Sequence, residues 1–336
     1  ENITIRDIAR ALSLSTSTVS RALRDSYEIN PETKRLVLEY AEKTHYRPNP
    51  IALSLKENRS LSIGVIVPEI ANNFFTGING IEAAAYDRGY HVVIFQSQES
   101  YEREVEKVEH LAARRVDGLL MSLSSQTVDI SHLKSLQGGD CRLFSLTGYP
   151  PKSRRTRWWL TMPAALSGND APARVGAEVN SAITSQPGLW ITWERLSGYV
   201  AALEKQGVPF DDNLVKYCSF TSEEVETNLD TLFSLKEPPD GFLTTADRLA
   251  LGYYAGLKKR NVDIPREVAF VGFSNLNVAE LLTPPMSAVV QPAFQMGHTA
   301  AGLLRDLIEK TPKNPEFRTV QLSTELFVRE SSSPRG

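Results

Sequence analysis

The chain has 336 residues, 41% of them apolar and 23% charged, with a net charge of −3 and two cysteines. That is the profile of a globular chain with room for two or three domains. It holds no apolar run near the roughly 20 residues of a membrane span, its opening lacks the layout of a secretory leader, and two cysteines cannot form a disulfide framework, so the cytoplasm is the expected compartment.

Charge is spread unevenly. Residues 1–60 carry 10 Lys+Arg against 8 Asp+Glu, and the remainder 27 against 32. The imbalance supports a nucleic-acid partner for the first segment without carrying that reading. The stretch "TIRDIARALSLSTSTVSRALRD" predicts two short helices. Thr4 and Asp7 form a capping-box-like start, and Ile5, Ile8, Ala9 and Leu12 share one face. Ser15 is a preferred N-cap for the second helix, whose inner face is Val19, Ala22 and Leu23. Only Ser13 and Leu14 separate the two, so they must cross steeply as a helix-turn-helix. Ala9 gives the small residue the crossing needs, and Ser13 stands where glycine is usual. The outward face of the second helix carries Thr16, Ser17, Thr18, Ser20 and Arg21, which suit base edges and phosphates. Together with the cap hydroxyls of Thr4 and Ser15 they are the candidate DNA contacts; an ordinary polar face is the weaker alternative. A third helix starts at Asn30-Pro31, with Leu36, Val37 and Tyr40 expected inward.

"YRPNPIALSLKENRS" follows. Asn49-Pro50 starts a helix of at most two turns, marginal by itself in water. Either it is a linker helix packed on the next domain, or a leucine on it, Leu55 above all, wedges into the minor groove. With this pair of motifs on the page, the chain resembles the DNA-binding headpiece and hinge of the lactose/galactose repressor (LacI/GalR) family. The resemblance places base-reading residues at Thr16, Ser17 and Arg21, the hinge asparagine at Asn49 and the minor-groove leucine at Leu55.

From Leu61 apolar runs and helical periods alternate: "LSIGVIVPEI", "FFTGINGIEAAAYDRG", "YHVVIFQ", "EREVEKVEHLAARR", "DGLLMSLS", and later "ERLSGYVAALEKQG", "DGFLTTA", "RLALGYYAGLKKRN", "EVAFVGFS", "MSAVVQP" and "AFQMGHTAAGLLRDLIEK". Such alternation predicts parallel sheets covered by helices, with ligands outside the carboxyl ends of the strands. Polar and aromatic residues gather there: Asn72, Asn73, Phe74 and Phe75 after the first strand, then Asp247, Ser274, Asn275 and Gln291, with Arg195 opening a helix. Capping chemistry explains about half of them singly; together they predict a small-molecule cleft. The family resemblance extends over residues 61–137 and 189–330. It implies two Rossmann-like, periplasmic-binding-protein-like subdomains and matches Phe74, Phe75, Arg195 and Asp247 to effector-cleft positions. Ser274 departs from the Asp that many relatives carry, which argues against a standard hexose.

Residues 140–188 interrupt the pattern with few aliphatics, weak periodicity and the basic-aromatic run "PPKSRRTRWWLTMPAALSGND". A single-strand nucleic-acid patch is conceivable. Reading the codons one base earlier offers another account: Trp158-Trp159 then forces valine, the Met162-Pro163 junction forces alanine, and apolar strand patterns emerge. The expectation is a compensated frameshift in the gene or its sequencing.

No nucleophile elbow, P-loop or metal-ligand spacing emerges among the scattered histidines. The fold class expected is therefore α/β: a three-helix helix-turn-helix headpiece (1–47), a hinge helix (48–59) and a two-subdomain effector-binding and dimerisation body (60–330). The function expected is a non-enzymatic DNA-binding transcriptional regulator, a repressor by its resemblance. It would need no cofactor or metal, bind a near-palindromic double-stranded operator as a homodimer, and answer to a sugar-like effector away from any membrane. The alternative is a sugar-binding transport-type protein.

Overall fold

The computed structural model describes residues 3–47, 59–134, 136, 141–146, 180–187, 190–273, 278–310, 320 and 322–333. The chain divides into two compact units, Glu1–Ser60 and Leu61–Gly336.

The first unit holds α1 (Ile5–Ala11), α2 (Thr16–Leu23) and α3 (Pro31–Lys43). α1 opens on a full capping box: the Thr4 backbone N–H donates to the Asp7 carboxylate at 3.0 Å, and the Asp7 N–H donates to Thr4 Oγ1 at 3.4 Å. Ser13 sits in the left-handed region at φ 55°, so a serine makes the sharp turn that glycine would make without strain. Ile8, Ala9, Val19, Ala22, Val37 and Ala41 are buried together as a small core. One inward expectation fails: Leu36 stays 44% exposed. Val37 and Ala41, one turn apart on α3, hold the inner face instead, because the helical stripe passes through i and i+4.

Thr4 supplies a prediction here. The hydroxyl and backbone N–H of Thr4 also hold the Asp7 carboxyl below its ordinary range, chiefly through the side-chain hydrogen bond. A depressed carboxylate stabilises the fold above its unfolded pKa and loses that contribution as pH falls through the folded value. Thr4→Ala is therefore expected to cost the headpiece ~1 kcal/mol near neutral pH, with a smaller difference from wild type in acid. Thermal unfolding at both pH values checks it, and an equal loss at each would refute the capping account.

The second unit contains two sheets. The first has the order β2-β1-β3-β4, all parallel, formed by β1 (Ser62–Val67), β2 (His91–Gln96), β3 (Gly118–Met121) and β4 (Arg142–Ser145). Helices α4 (Asn72–Tyr86), α5 (Tyr101–Ala113) and the short α6 (Ser131–Lys134) connect these strands. α4 ends three residues before Gly89, whose φ of +72° makes the turn into β2.

The second sheet has the order β10-β9-β8-β7-β5-β6, parallel except for β10 against β9. Its strands are β5 (Asn180–Thr184), β6 (Val215–Tyr217), β7 (Gly241–Thr244), β8 (Ala269–Phe273), β9 (Ser287–Val290) and β10 (Glu325–Phe327). The helices that follow β5, β6, β7 and β9 are α7 (Trp190–Gln206), α8 (Ser222–Phe233), α9 (Asp247–Lys259) and α10 (Ala293–Lys310). β1 and β8 are buried almost end to end, as central strands covered on both faces must be.

The connectivity joins the lobes through more than one passage. α10 follows β9 of the second sheet yet packs against α4 and behind β3 of the first, where Leu304 and Ile308 lie over Gly118. The chain then returns to the second sheet as β10.

The fold corrects three sequence expectations. β6 and β10 go beyond the sequence pattern because strands of three residues are too short to show one, and the 12-residue helix α8 between β6 and β7 is a further element that the sequence reading does not include. Arg195 does not open its helix but lies in the second turn of α7. The irregular segment also contributes strands in its own frame at both ends, Arg142–Ser145 beside β3 and the fully buried Asn180–Thr184 between β6 and β7. The Trp158-Trp159 run, and with it the frameshift expectation, lies outside the described residues.

Candidate nucleic-acid interface and effector cleft

On α2 the apolar stripe Val19 and Ala22 faces α1 and α3, which forces the remaining positions outward. Thr16, Ser17 and Arg21 are exposed, while Thr18 and Ser20 are half-buried at the edge. The Ser15 hydroxyl accepts from the Thr18 N–H at 3.0 Å and lies 2.8 Å from both the Ser17 and Thr18 hydroxyls. Thr4 and Ser15 thus serve as helix caps, and Ser17 is oriented through Ser15. Arg21 Nη1 stands 3.1 Å from Glu28 Oε2. Asn49 and Leu55 lie outside the described residues.

In the second unit the carboxyl ends of β5, β7 and β8 meet around one cation. Arg195 reaches from α7 so that its guanidinium carbon lies 4.1 Å from the centre of the Phe273 ring at the end of β8. Its Nη1 donates to the carbonyl of Thr245, just past β7. Its Nε is buried and has no hydrogen-bond partner among the described residues. Burial pushes its pKa down to about 10, and the charge of Asp247 acts in the opposite direction. A guanidinium keeps its charge there, and a buried polar group without a partner favours a ligand that supplies an acceptor.

The floor around Arg195 is polar and built. Ser185 and Thr192 share a hydrogen bond of 2.7 Å, and the Thr245 hydroxyl donates to Thr184 Oγ1 at 2.9 Å. Gln291, past β9, is 6% exposed. Asp247 is the first residue of α9, and its Oδ1 accepts the N–H of Arg248 at 2.9 Å.

The first lobe contributes α4, whose entry is fixed by the Ile70 N–H donating to Gln96 Oε1 at 2.9 Å. Phe75 is 53% exposed there and Phe74 half-buried against the lobe's core. Asn72 belongs to the same first turn. Ser274 and Asn275 lie outside the described residues.

Sequence reading missed three residues of this region. Glu69, in the β1–α4 loop, pairs with Arg248 on α9 at 3.1 Å and so spans the two lobes. Arg248 also lies over the Phe220 ring at 4.7 Å. Phe273 was unrecognised because it reads as the last apolar residue of a buried strand. The neighbouring Asp247-Arg248 charges were the available signal for the others. Among the described residues no helix is long and apolar enough to cross a membrane, and no group of three or more His, Cys, Asp or Glu could hold a metal.

A helix-turn-helix unit and a two-lobed binding body in one chain define a DNA-binding protein of regulatory class. Comparison with known families agrees along the chain. Residues 4–49 match the profile of bacterial regulatory proteins of the lacI family, residues 60–153 the periplasmic binding proteins and sugar binding domain of the LacI family, and residues 177–332 a periplasmic binding protein-like domain. The chain belongs to the LacI family of transcriptional regulators. It is 25% identical over 341 residues to catabolite control protein A of Priestia megaterium, covering 98% of this chain and 99% of that protein. To the transcriptional repressor CytR of Escherichia coli (strain K12) it is 27% identical over 330 residues, covering 98% and 96%. Among solved structures, the transcriptional regulator CelR–cellobiose complex superposes with a TM-score of 0.69 at 26% identity, covering 98% of this chain and all of that one. The lac repressor dimer bound to operator and an anti-inducer gives a TM-score of 0.83 at 17% identity, covering 99% and 100%.

Proposed function

We propose that this chain is a repressor that binds a near-palindromic operator as a homodimer and is controlled by a small, sugar-like effector held between its lobes. The observation that carries the reading is the Arg195 guanidinium, stacked on Phe273 with a buried Nε that no described residue bonds, in the same chain as the hydroxyl and arginine face of α2. A body of this kind senses; a headpiece of this kind reads DNA. Support for a sugar-like effector comes from CelR, a relative solved with cellobiose. The hinge positions Asn49 and Leu55 are assigned to the minor groove and the cap and face residues Thr4, Ser15, Thr16, Ser17, Thr18, Ser20 and Arg21 to the operator. Asn72, Phe74, Phe75, Arg195, Asp247, Ser274, Asn275 and Gln291 are assigned to the effector. The protein would work in the cytoplasm and catalyse no reaction.

Control would follow from a population shift. The lobes are joined by several passages and by the Glu69–Arg248 pair, so an effector that favours one lobe arrangement biases that pair and the segment leading to the headpiece. A transport-type binding protein has no use for the headpiece.

Selection of bound sequences from random DNA, with and without a metabolite panel, tests the whole reading. Enrichment of a near-palindrome is expected, with affinity falling steeply as salt rises and one panel member changing it. Enrichment of no sequence under any condition would end the repressor reading.

A further inference from the structure

Arg21 is the one forked cation among the short hydroxyls proposed above to face the operator, and it is held by a neighbouring acid. Its Nη1 lies 3.1 Å from Glu28 Oε2, with the two side chains 57% and 49% exposed. A pair so exposed adds next to nothing to folding. The segment that carries Glu28, however, is firmly built. Asp25 turns the chain at φ 56° after α2, and the Asp25 and Ser26 N–H groups donate to the Ala22 and Arg21 carbonyls, each at 3.1 Å. From α3, Lys34 Nζ donates to the Asp25 carbonyl at 3.3 Å and to its carboxylate at 2.7 Å. The Glu28 N–H donates to Ser26 Oγ at 3.4 Å, and Ile29 beside it packs on the headpiece core. The backbone on both sides of Glu28 is anchored, which presents its side chain beside Arg21.

An arginine that reads a base must have its fork frozen in one direction, and a free side chain loses rotamer entropy to reach it. Glu28 occupies Nη1 and leaves Nε and Nη2 for a base edge, the arrangement that matches guanine O6 and N7. Its negative charge also opposes phosphate, which weakens sequence-independent attachment.

We propose that Glu28 is a positioning residue for operator specificity, orienting Arg21 and withholding it from the phosphates. The proposal rests on the reading of α2 as the operator-facing helix. Released, Arg21 takes whichever phosphate is near.

The test uses the full-length protein, its selected operator and every single-base variant of one half-site, read by competition binding across a salt series. Arg21→Ala identifies the base pair that Arg21 reads. Glu28→Ala is expected to lower discrimination at that pair alone about tenfold, within the range for one bidentate contact. It should also tighten binding to random DNA and steepen the salt slope by about 0.9, one further phosphate. Glu28→Gln keeps an acceptor oxygen and should retain part of the discrimination, and the double variant should discriminate no worse than Arg21→Ala. Wild-type discrimination in Glu28→Ala would overturn the proposal, as would a loss spread over several base pairs. A wild-type protein without any sequence preference would instead bring down the operator reading itself.

Discussion

Gly297→Ala is expected to destabilise the body by about 2 kcal/mol or more, while Gly302→Ala in the same helix should stabilise it. At Gly297 a Cβ would lie 1.8 Å from the Gly77 carbonyl oxygen and 2.8 Å from its carbon. Across the same seam, a Cβ at Gly80 would come within 2.0 Å of the Phe294 carbonyl oxygen. These are backbone atoms, so no rotamer relieves the overlap and α4 and α10 must move apart. Overpacking costs ~1–3 kcal/mol and sometimes more; an overlap with backbone atoms belongs at the upper end, so it outweighs by about 2 kcal/mol the roughly 1 kcal/mol gained when alanine replaces glycine in a helix. At Gly302 nothing lies within 4 Å, so only the propensity gain remains. Opposite shifts in thermal midpoint should follow, roughly 4–8 °C downward for Gly297→Ala. Equal shifts in the two variants would mean the helices do not touch backbone to backbone. The seam also has a functional side. α4 carries Asn72, Phe74 and Phe75 in its first turns, so a displaced α4 moves the candidate effector contacts of the first lobe.

Local periodicity made the headpiece legible almost residue by residue, because its helices are short, capped by side chains and packed on a single stripe. The alternation of strand and helix likewise announced two parallel sheets. What periodicity does not encode is where a helix goes after its strand. α10 reads as the partner of β9, yet the close contacts at Gly80 and Gly297 seat it on α4 in the other lobe. Glycine is small for a reason visible only in three dimensions. The ends of the segment 140–188 are hard to read for another reason. Its ends, Arg142–Ser145 and Asn180–Thr184, hold too few aliphatics to read as strands, but strand pairing with β3, β6 and β7 supplies what local propensity lacks. The family profiles stop at residue 153 and resume at residue 177, so the run containing Trp158 and Trp159 is the part without a counterpart in them. In the cleft, Arg195 and Asp247 were legible as charges near strand ends. The ring that Arg195 stacks on was not, because Phe273 belongs equally well to a buried strand.

Arg195 should be nearly dispensable for folding and close to indispensable for sensing. Its guanidinium is taken out of water at a cost, visible in a pKa pushed down to about 10. Stacking on Phe273 and the bond to the Thr245 carbonyl offset only part of that cost, since Nε finds no partner among the described residues. Methionine has a similar length, fills the space over the ring and removes the buried charge; such exchanges are often neutral or stabilising. Arg195→Met is therefore expected to leave the thermal midpoint within a few degrees of wild type. In the proposed effector site the same exchange removes a charged donor to the ligand, worth about 2–3 kcal/mol or roughly 30–150-fold in affinity. The metabolite that shifts operator binding should then act on Arg195→Met only at that much higher concentration, with binding to the free operator unchanged. Arg195→Lys keeps the charge but not the planar fork, and should recover only a fraction of the response. Calorimetric titration of the three proteins separates the cases: undiminished affinity in Arg195→Met would remove Arg195 from the effector site. An unfolded Arg195→Met would show instead that its stack on Phe273 is a structural strut.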